Sequence, residues 1–204
     1  MTQSAIVGVI IGLILGAIGG YALAGKKAPP ATSTANTWPA MQKTSANPQT
    51  TEEKIQDAMS AAPENIAKDA TVLDWPGADG KMAELRKGTN GWTCLPDDPS
   101  TPGNDPVCVD NMALQWFGAY MQHKTPKIAQ AGIGYMLQGG ASASNVDPFA
   151  TAPKQGESWM QAPPHLMVFP NSKLDANVYG TEMNGGPWIM WAGTPYEHLM
   201  VPVQ

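Results

Sequence analysis

From Ala5 to Ala24 the chain carries no charged side chain, and within that run Gly8, Gly12, Gly16 and Gly20 recur at every fourth position. About 20 apolar residues at ~1.5 Å rise each span a hydrocarbon core. Residues four apart lie nearly along one stripe of a helix, and glycines there let another helix backbone approach closely. The pattern predicts a transmembrane anchor over residues 1–25 that can form a homo-oligomer through its glycine stripe. A second reading competes with it: Ala22-Leu23-Ala24 is a small-x-small processing site, which would make the same run a cleaved signal peptide. Met1-Thr2-Gln3-Ser4 has no Lys or Arg, and the run is longer than a usual signal core, so the anchor is favoured.

The side of the membrane is set by two opposing features. Lys26 and Lys27 follow the run and nothing basic precedes it, which by the positive-inside rule would leave the rest of the chain in the cytoplasm. Cys94 and Cys108, however, are the two cysteines of the chain and flank a Pro/Asp-rich loop, a pattern that reads as one disulfide in an oxidising compartment. Closing a loop of roughly 14 residues stabilises a fold by about 3 kcal/mol in the chain-entropy model. Two buried free thiols are the alternative. On balance the sequence places the downstream domain in the cell envelope, on the periplasmic or extracellular side.

Composition argues against one class of partner. Charged residues are 14% of the 204 and the net charge is −5, so the chain lacks the basic footprint of a nucleic-acid binder. A hydrophobic fraction of 43% is enough for a core, and 21 Gly with 19 Pro imply many turns. Residues 26–49 form the next segment, and from Ala28 to Gln49 Pro, Thr, Ser, Ala and Asn predominate without a sustained apolar period, predicting a disordered linker.

Residues 50–204 read as one α+β domain with a mainly antiparallel sheet and one principal packed helix. Thr50 and Glu53 form a capping box that opens a helix through about Ala62, where Pro63 stops it. Strands are expected over Ala70–Trp75, Met82–Lys87 and Trp92–Leu95, as a meander with Asn90-Gly91 at a tight turn. Asn111–His123 reads as the principal helix, capped by Asp110, with Asn111, Gln115 and Gln122 as its narrow polar stripe. Gly132–Gln138, His165–Phe169, Trp188–Trp191 and His198–Val203 have strand character, and Leu174–Tyr179 suits a helical turn. A polar loop is expected from Ala141 to Ala162, and a solvated turn across Asp97, Asp98, Asn104 and Asp105.

Two constellations could carry chemistry. His165-Leu166-Met167-Val168 and His198-Leu199-Met200-Val201 repeat the same four residues, and strand alternation puts each His on the face of its Met. If the two strands were neighbours, His165, Met167, His198 and Met200 would converge as a copper site, since thioethers favour Cu(I) and imidazoles bind copper well. The alternative is packing: either Leu and Val, not His and Met, face the core, or Met simply fills it. Trp188, Trp191 and Tyr196, among Gly185, Gly186 and Gly193, could line a ligand groove or a compact sheet corner. Ser158 lacks the second glycine of a nucleophile elbow, and three histidines without a paired motif make no triad.

Leu85–Cys94 (LRKGTNGWTC), the Asp/Pro loop that follows it, and Trp188–His198 (WIMWAGTPYEH) together resemble a group of uncharacterised exported bacterial proteins over roughly residues 60–204. The resemblance implies export and transfers no activity or catalytic residue.

The sequence thus predicts a membrane-anchored or secreted envelope protein with a binding or interaction domain whose ligand it does not name. It leans away from an enzyme. The alternative is a periplasmic copper-binding protein or metalloenzyme built on the paired His/Met strands. Replacing Gly12 and Gly16 with Ile should weaken association of the N-terminal helix in a bilayer, measured by energy transfer between labelled copies; unchanged association would remove the glycine interface.

Overall fold

The computed structural model describes residues 50–203, so the apolar run, its glycine stripe Gly8, Gly12, Gly16 and Gly20, and the linker lie outside the described residues. Among the described residues no helix is long and apolar enough to cross a membrane. Four helices, α1 (Thr51–Ser60), α2 (Glu64–Ala67), α3 (Asn111–Met121) and α4 (Ala176–Tyr179), accompany ten strands. The strands are β1 (Thr71–Leu73), β2 (Glu84–Arg86), β3 (Trp92–Leu95), β4 (Val107–Asp110), β5 (Gly132–Met136), β6 (Gly140–Ser142), β7 (Met160–Ala162), β8 (His165–Phe169), β9 (Trp188–Met190) and β10 (His198–Pro202).

Eight strands form one sheet in the order β2-β1-β3-β4-β5-β8-β10-β9, and β6 pairs with β7 in a separate ladder. Every pairing in the large sheet is antiparallel except β1 with β3, so the fold is α+β and mostly antiparallel. That parallel pair overturns the expected meander. β2 lies outside β1 rather than between β1 and β3, and Asn90-Gly91 therefore closes no hairpin. Instead the Asn90 side chain donates to Ile66 O at 2.8 Å and accepts from Trp92 N at 3.1 Å, tying the entry of β3 to α2.

The sheet has a different layer on each face. Cys94, Cys108 and Tyr135 are register partners across β3, β4 and β5, and Val72 joins them from β1. This face packs against Ala58, Ala61, Ala62 and Ala67 of the α1–α2 segment, whose small side chains bring the helices close to the strands. The Cys94–Cys108 disulfide forms there as a cross-strand bond and is fully buried, which fits an oxidising, extracytoplasmic setting. The α1 start is the expected capping box, Thr50 accepting from Glu53 N while Glu53 accepts from Thr50 N.

The opposite face is covered by α3. Asp110 ends β4 and caps the helix, its carboxylate accepting from Ala113 N at 2.8 Å. The same carboxylate accepts from Ile133 N at 2.9 Å, so the first turn of α3 and the first residues of β5 are drawn to one group. Gly132 is the result: a Cβ there would sit 2.4 Å from Ala113 N, closer than any side chain allows. On this face Trp116, Val107, Val109, Met167, Phe169 and Met200 form the main core.

Gly132 and Gly118 make a matched pair of tests. Gly132→Ala must push α3 off β5 and should destabilise the fold by about 1–3 kcal/mol or more. Gly118 sits within α3 with nothing within 4 Å of its Cβ position, so Gly118→Ala should be neutral or stabilise by up to ~1 kcal/mol. Urea unfolding of both variants reads the difference; equal effects would contradict the close approach.

Candidate functional site

The faces of β8 and β10 are set by burial. His165, Met167 and Phe169 are buried on β8 while Leu166 and Val168 are half-buried, so the histidine and methionine point to the α3 side. On β10, His198, Leu199 and Met200 are all buried, and His198 and Met200 line the same cavity as His165 and Met167. On β8 the histidine and methionine, not Leu and Val, are the buried residues, and Met167 and Met200 also fill the main core. β8 and β10 are neighbours, as the copper reading required, and their register puts Met167 opposite Met200.

The same register separates the two imidazoles. Pro202 stands opposite His165 and Leu199 opposite Val168, so His198 falls opposite Phe169, four residues along from His165. At ~3.3 Å per residue this is an offset of about 13 Å along the strand. Across β8 from Pro202, the partner of His165 is Met136 of β5. Proceeding along the face, the first rung is Met136–His165–Pro202, the second Gly134–Met167–Met200–Trp188, and the third carries Phe169, His198 and Met190.

These rungs floor a cavity of about 410 Å3. Trp116, Phe117 and Tyr120 of α3 form one wall, and the segment from Ala141 to Thr151 with Trp159 and Met160 forms another. His165, Met167, His198 and Met200 all line it, joined by Met136 and Met190. Of the three aromatics expected at a groove, Trp191 lines the cavity, its indole N–H donating to Ser144 O at 3.0 Å. Trp188 is fully buried behind it and donates to Asn145 Oδ1 at 3.3 Å. Tyr196 is buried against Trp116 and Tyr120, supporting the wall from outside. Trp191 adopts a positive φ of 54°, unusual for an aromatic residue. Hydrogen bonds from Trp191 N to Asn145 O and from Thr194 to Trp191 O hold it there.

Each histidine is fixed by its own strand's entry. His165 Nδ1–H donates to Pro163 O at 2.6 Å, and His198 Nδ1–H donates to Tyr196 O at 3.0 Å. In both rings Nε2 is then the lone-pair nitrogen. His165 Nε2 is buried and has no hydrogen-bond partner. Burial pushes both imidazoles down to about 4, against the pull of their backbone bonds, and His198 is lowered further by the charge of His165. Both are neutral at neutral pH. The His198 ring lies in an aromatic box, with centroids 5.0 Å from Trp191, 5.3 Å from Phe169 and 5.5 Å from Trp116.

The acidic loop is not the solvated turn its composition suggests. Asp97 and Asp105 are each 4% exposed, and Asp105 lines the cavity beside Asp98. The Asp105 carboxylate accepts from Asp98 N, Thr101 Oγ1 and Ala141 N, while Asp97 Oδ1 accepts from Asp105 N. Burial pushes Asp105 up to about 7, with bonds from Thr101 and Asp98 opposing and Asp97 reinforcing the rise. The expected loop from Ala141 to Ala162 is likewise closed at its base by the β6–β7 ladder, pairing Gly140 with Ala162 and Ser142 with Met160.

Sequence reasoning missed Met136 and Asp105 as cavity residues. Met136 carried a signal, the period-2 alternation of Gly132, Gly134 and Met136 on one face of β5. Ser158 is exposed and apart from the histidines' cavity lining. Among the described residues no three His, Cys, Asp or Glu side chains are grouped to hold a metal ion, so any metal here would depend on thioethers. No family model matches the chain, and no curated protein or solved structure is found to be similar to it.

The titrations oppose one another. Between pH 6.5 and 4 the unfolded chain binds protons that neutral His165 and His198 refuse, so their burial lowers stability as pH falls. Asp105 works the other way between about 7 and 3.8, because the folded carboxyl holds its proton and stability rises as pH falls. Two groups against one leave a net loss of about 1.4 kcal/mol per pH unit on acidification within that window. Asp105→Asn should roughly double this slope in urea unfolding between pH 6.5 and 4.5; a flat profile in both proteins would contradict the buried neutral histidines.

Proposed function

We propose that the chain is a cell-envelope binding protein whose folded domain, on the periplasmic or extracellular side, takes a small ligand into the cavity between α3 and the β8–β10 face. The observation that carries this reading is the cavity itself: about 410 Å3, walled by Trp116, Tyr120, Phe169 and Trp191, and floored by neutral imidazoles and thioethers. Binding pockets of this size are lined in this way, by apolar and aromatic surface with a few placed polar groups. The N-terminal run supplies membrane attachment in the same reading, its glycine stripe supplies self-association, and the resemblance to exported bacterial proteins agrees with the location.

Titration of the full chain in detergent with the neutral aromatic probe N-phenyl-1-naphthylamine tests the cavity. Bound probe should brighten and quench the emission of Trp116 and Trp191. Ala150 lines the cavity and is half-buried, so Ala150→Trp should reduce probe affinity at least tenfold. Empty micelles brighten the probe themselves and set the blank; a folded protein that adds no probe emission and no tryptophan quenching above it, or a variant that binds the probe unchanged, would overturn the assignment.

A further inference from the structure

His165 is the one buried imidazole whose chemistry is left open by the packing. Its Nδ1 is committed to Pro163 O, its ring is wholly inaccessible, and its Nε2 has no hydrogen-bond partner. A buried lone pair without a donor costs free energy comparable to a lost hydrogen bond. A neutral imidazole oriented by a carbonyl on its other nitrogen is also the usual form of a metal-ligating histidine.

The neighbours that the strand register gives His165 are methionines. Met136 stands directly across from His165 on β5, Met167 lies two residues along the same strand face, and Met200 is diagonal to it on β10. Direct cross-strand neighbours have Cβ atoms about 5 Å apart and diagonal ones about 7–8 Å, within reach of unbranched methionine side chains. Gly140 borders both side chains: a Cβ built there would lie 2.9 Å from Met136 Cε, 3.6 Å from Met136 Sδ and 3.7 Å from His165 Cε1, so Met136 and His165 both edge the space that Gly140 leaves open. Gly134, on the rung of Met167 and Met200, likewise contributes no side chain to that face.

We propose that His165 Nε2 and the thioethers of Met136, Met167 and Met200 form a binding site for a soft monovalent metal ion, Cu(I). The donor set selects the ion. Thioethers bind Cu(I) and contribute little to hard divalent cations, and among the described residues no three His, Cys, Asp or Glu side chains group into a rival site. His198 is outside this set because its register puts it opposite Phe169, beyond the Met167–Met200 rung, with its ring in the aromatic box. The inference rests on the cavity being a ligand site and names the ion that occupies its Met136–His165 end.

Anaerobic titration of the full chain in detergent, with bicinchoninate as competitor, reads the transfer of Cu(I). One equivalent should move to the protein. Met136→Leu and Met200→Leu nearly conserve volume and should each weaken binding at least tenfold, while both retain N-phenyl-1-naphthylamine binding as proof of an intact cavity. His198→Phe should leave Cu(I) affinity within about threefold. Failure of the folded protein to take Cu(I) from the competitor, or binding indifferent to both methionine substitutions, overturns the metal site. Probe binding that persists in that case leaves the cavity standing as a site for an organic ligand.

Discussion

The carboxylate of Asp110 is the constraint on which the rest of the site depends. It ends β4, accepts from Ala113 N to start α3, and accepts from Ile133 N to fix the first residues of β5. Two backbone donors from segments some 20 residues apart converge on one group, and the chain between them must close over it. Gly132 follows from this geometry, since the helix turn and the strand come too near for a Cβ. So does the placement of Trp116, one helical turn beyond the capped end. Its indole touches Phe117, Phe169, Tyr196 and His198, and stacks near Tyr120 and Trp191. A helix displaced from β5 would remove the wall of the cavity and the lid of the His198 box together.

On the opposite face the disulfide, Val72 and the alanines of the α1–α2 segment form a small-residue layer, edged by Met59 and by the Trp92–Tyr135 ring pair. The sheet's two faces thus differ in what fills their centres, alanines and a covalent bond on one side, Trp116, Phe169 and methionines on the other. Arg86 reinforces the first layer by donating to Ala67 O at 2.7 Å and Ala70 O at 2.8 Å. These bonds anchor the turn after α2, where β1 enters parallel to β3, and no hairpin could supply that connection.

What was legible in the sequence was what depends on near neighbours. The capping box of α1, the Asp110 cap, the bounds of β3 and β8 and the His/Met alternation all follow from spacing over a few residues. The misreadings share a different origin. β6 is Gly-Ala-Ser, without strand propensity, and is a strand because β7 pairs with it from 20 residues away. β4 is four residues after Pro106, too short for alternation to show. Asp97 and Asp105 have the composition of solvated turns, and only the backbone donors of Asp98, Ala141 and Asp105 itself reveal that they are buried acceptors. Met136 escaped notice because the repeat of His-Leu-Met-Val drew attention to two strands, whereas the sheet sets a third strand against His165.

That third strand changes what the repeat means. Antiparallel pairing in this register sets the two methionines of the repeat opposite one another and carries the two histidines apart. The cavity therefore has two unlike ends joined by a methionine rung. At one end His165 faces thioethers with an unsatisfied nitrogen; at the other His198 is enclosed by aromatic rings. The pairing register of β8 and β10, not the presence of two His-x-Met units, decides that the site is divided.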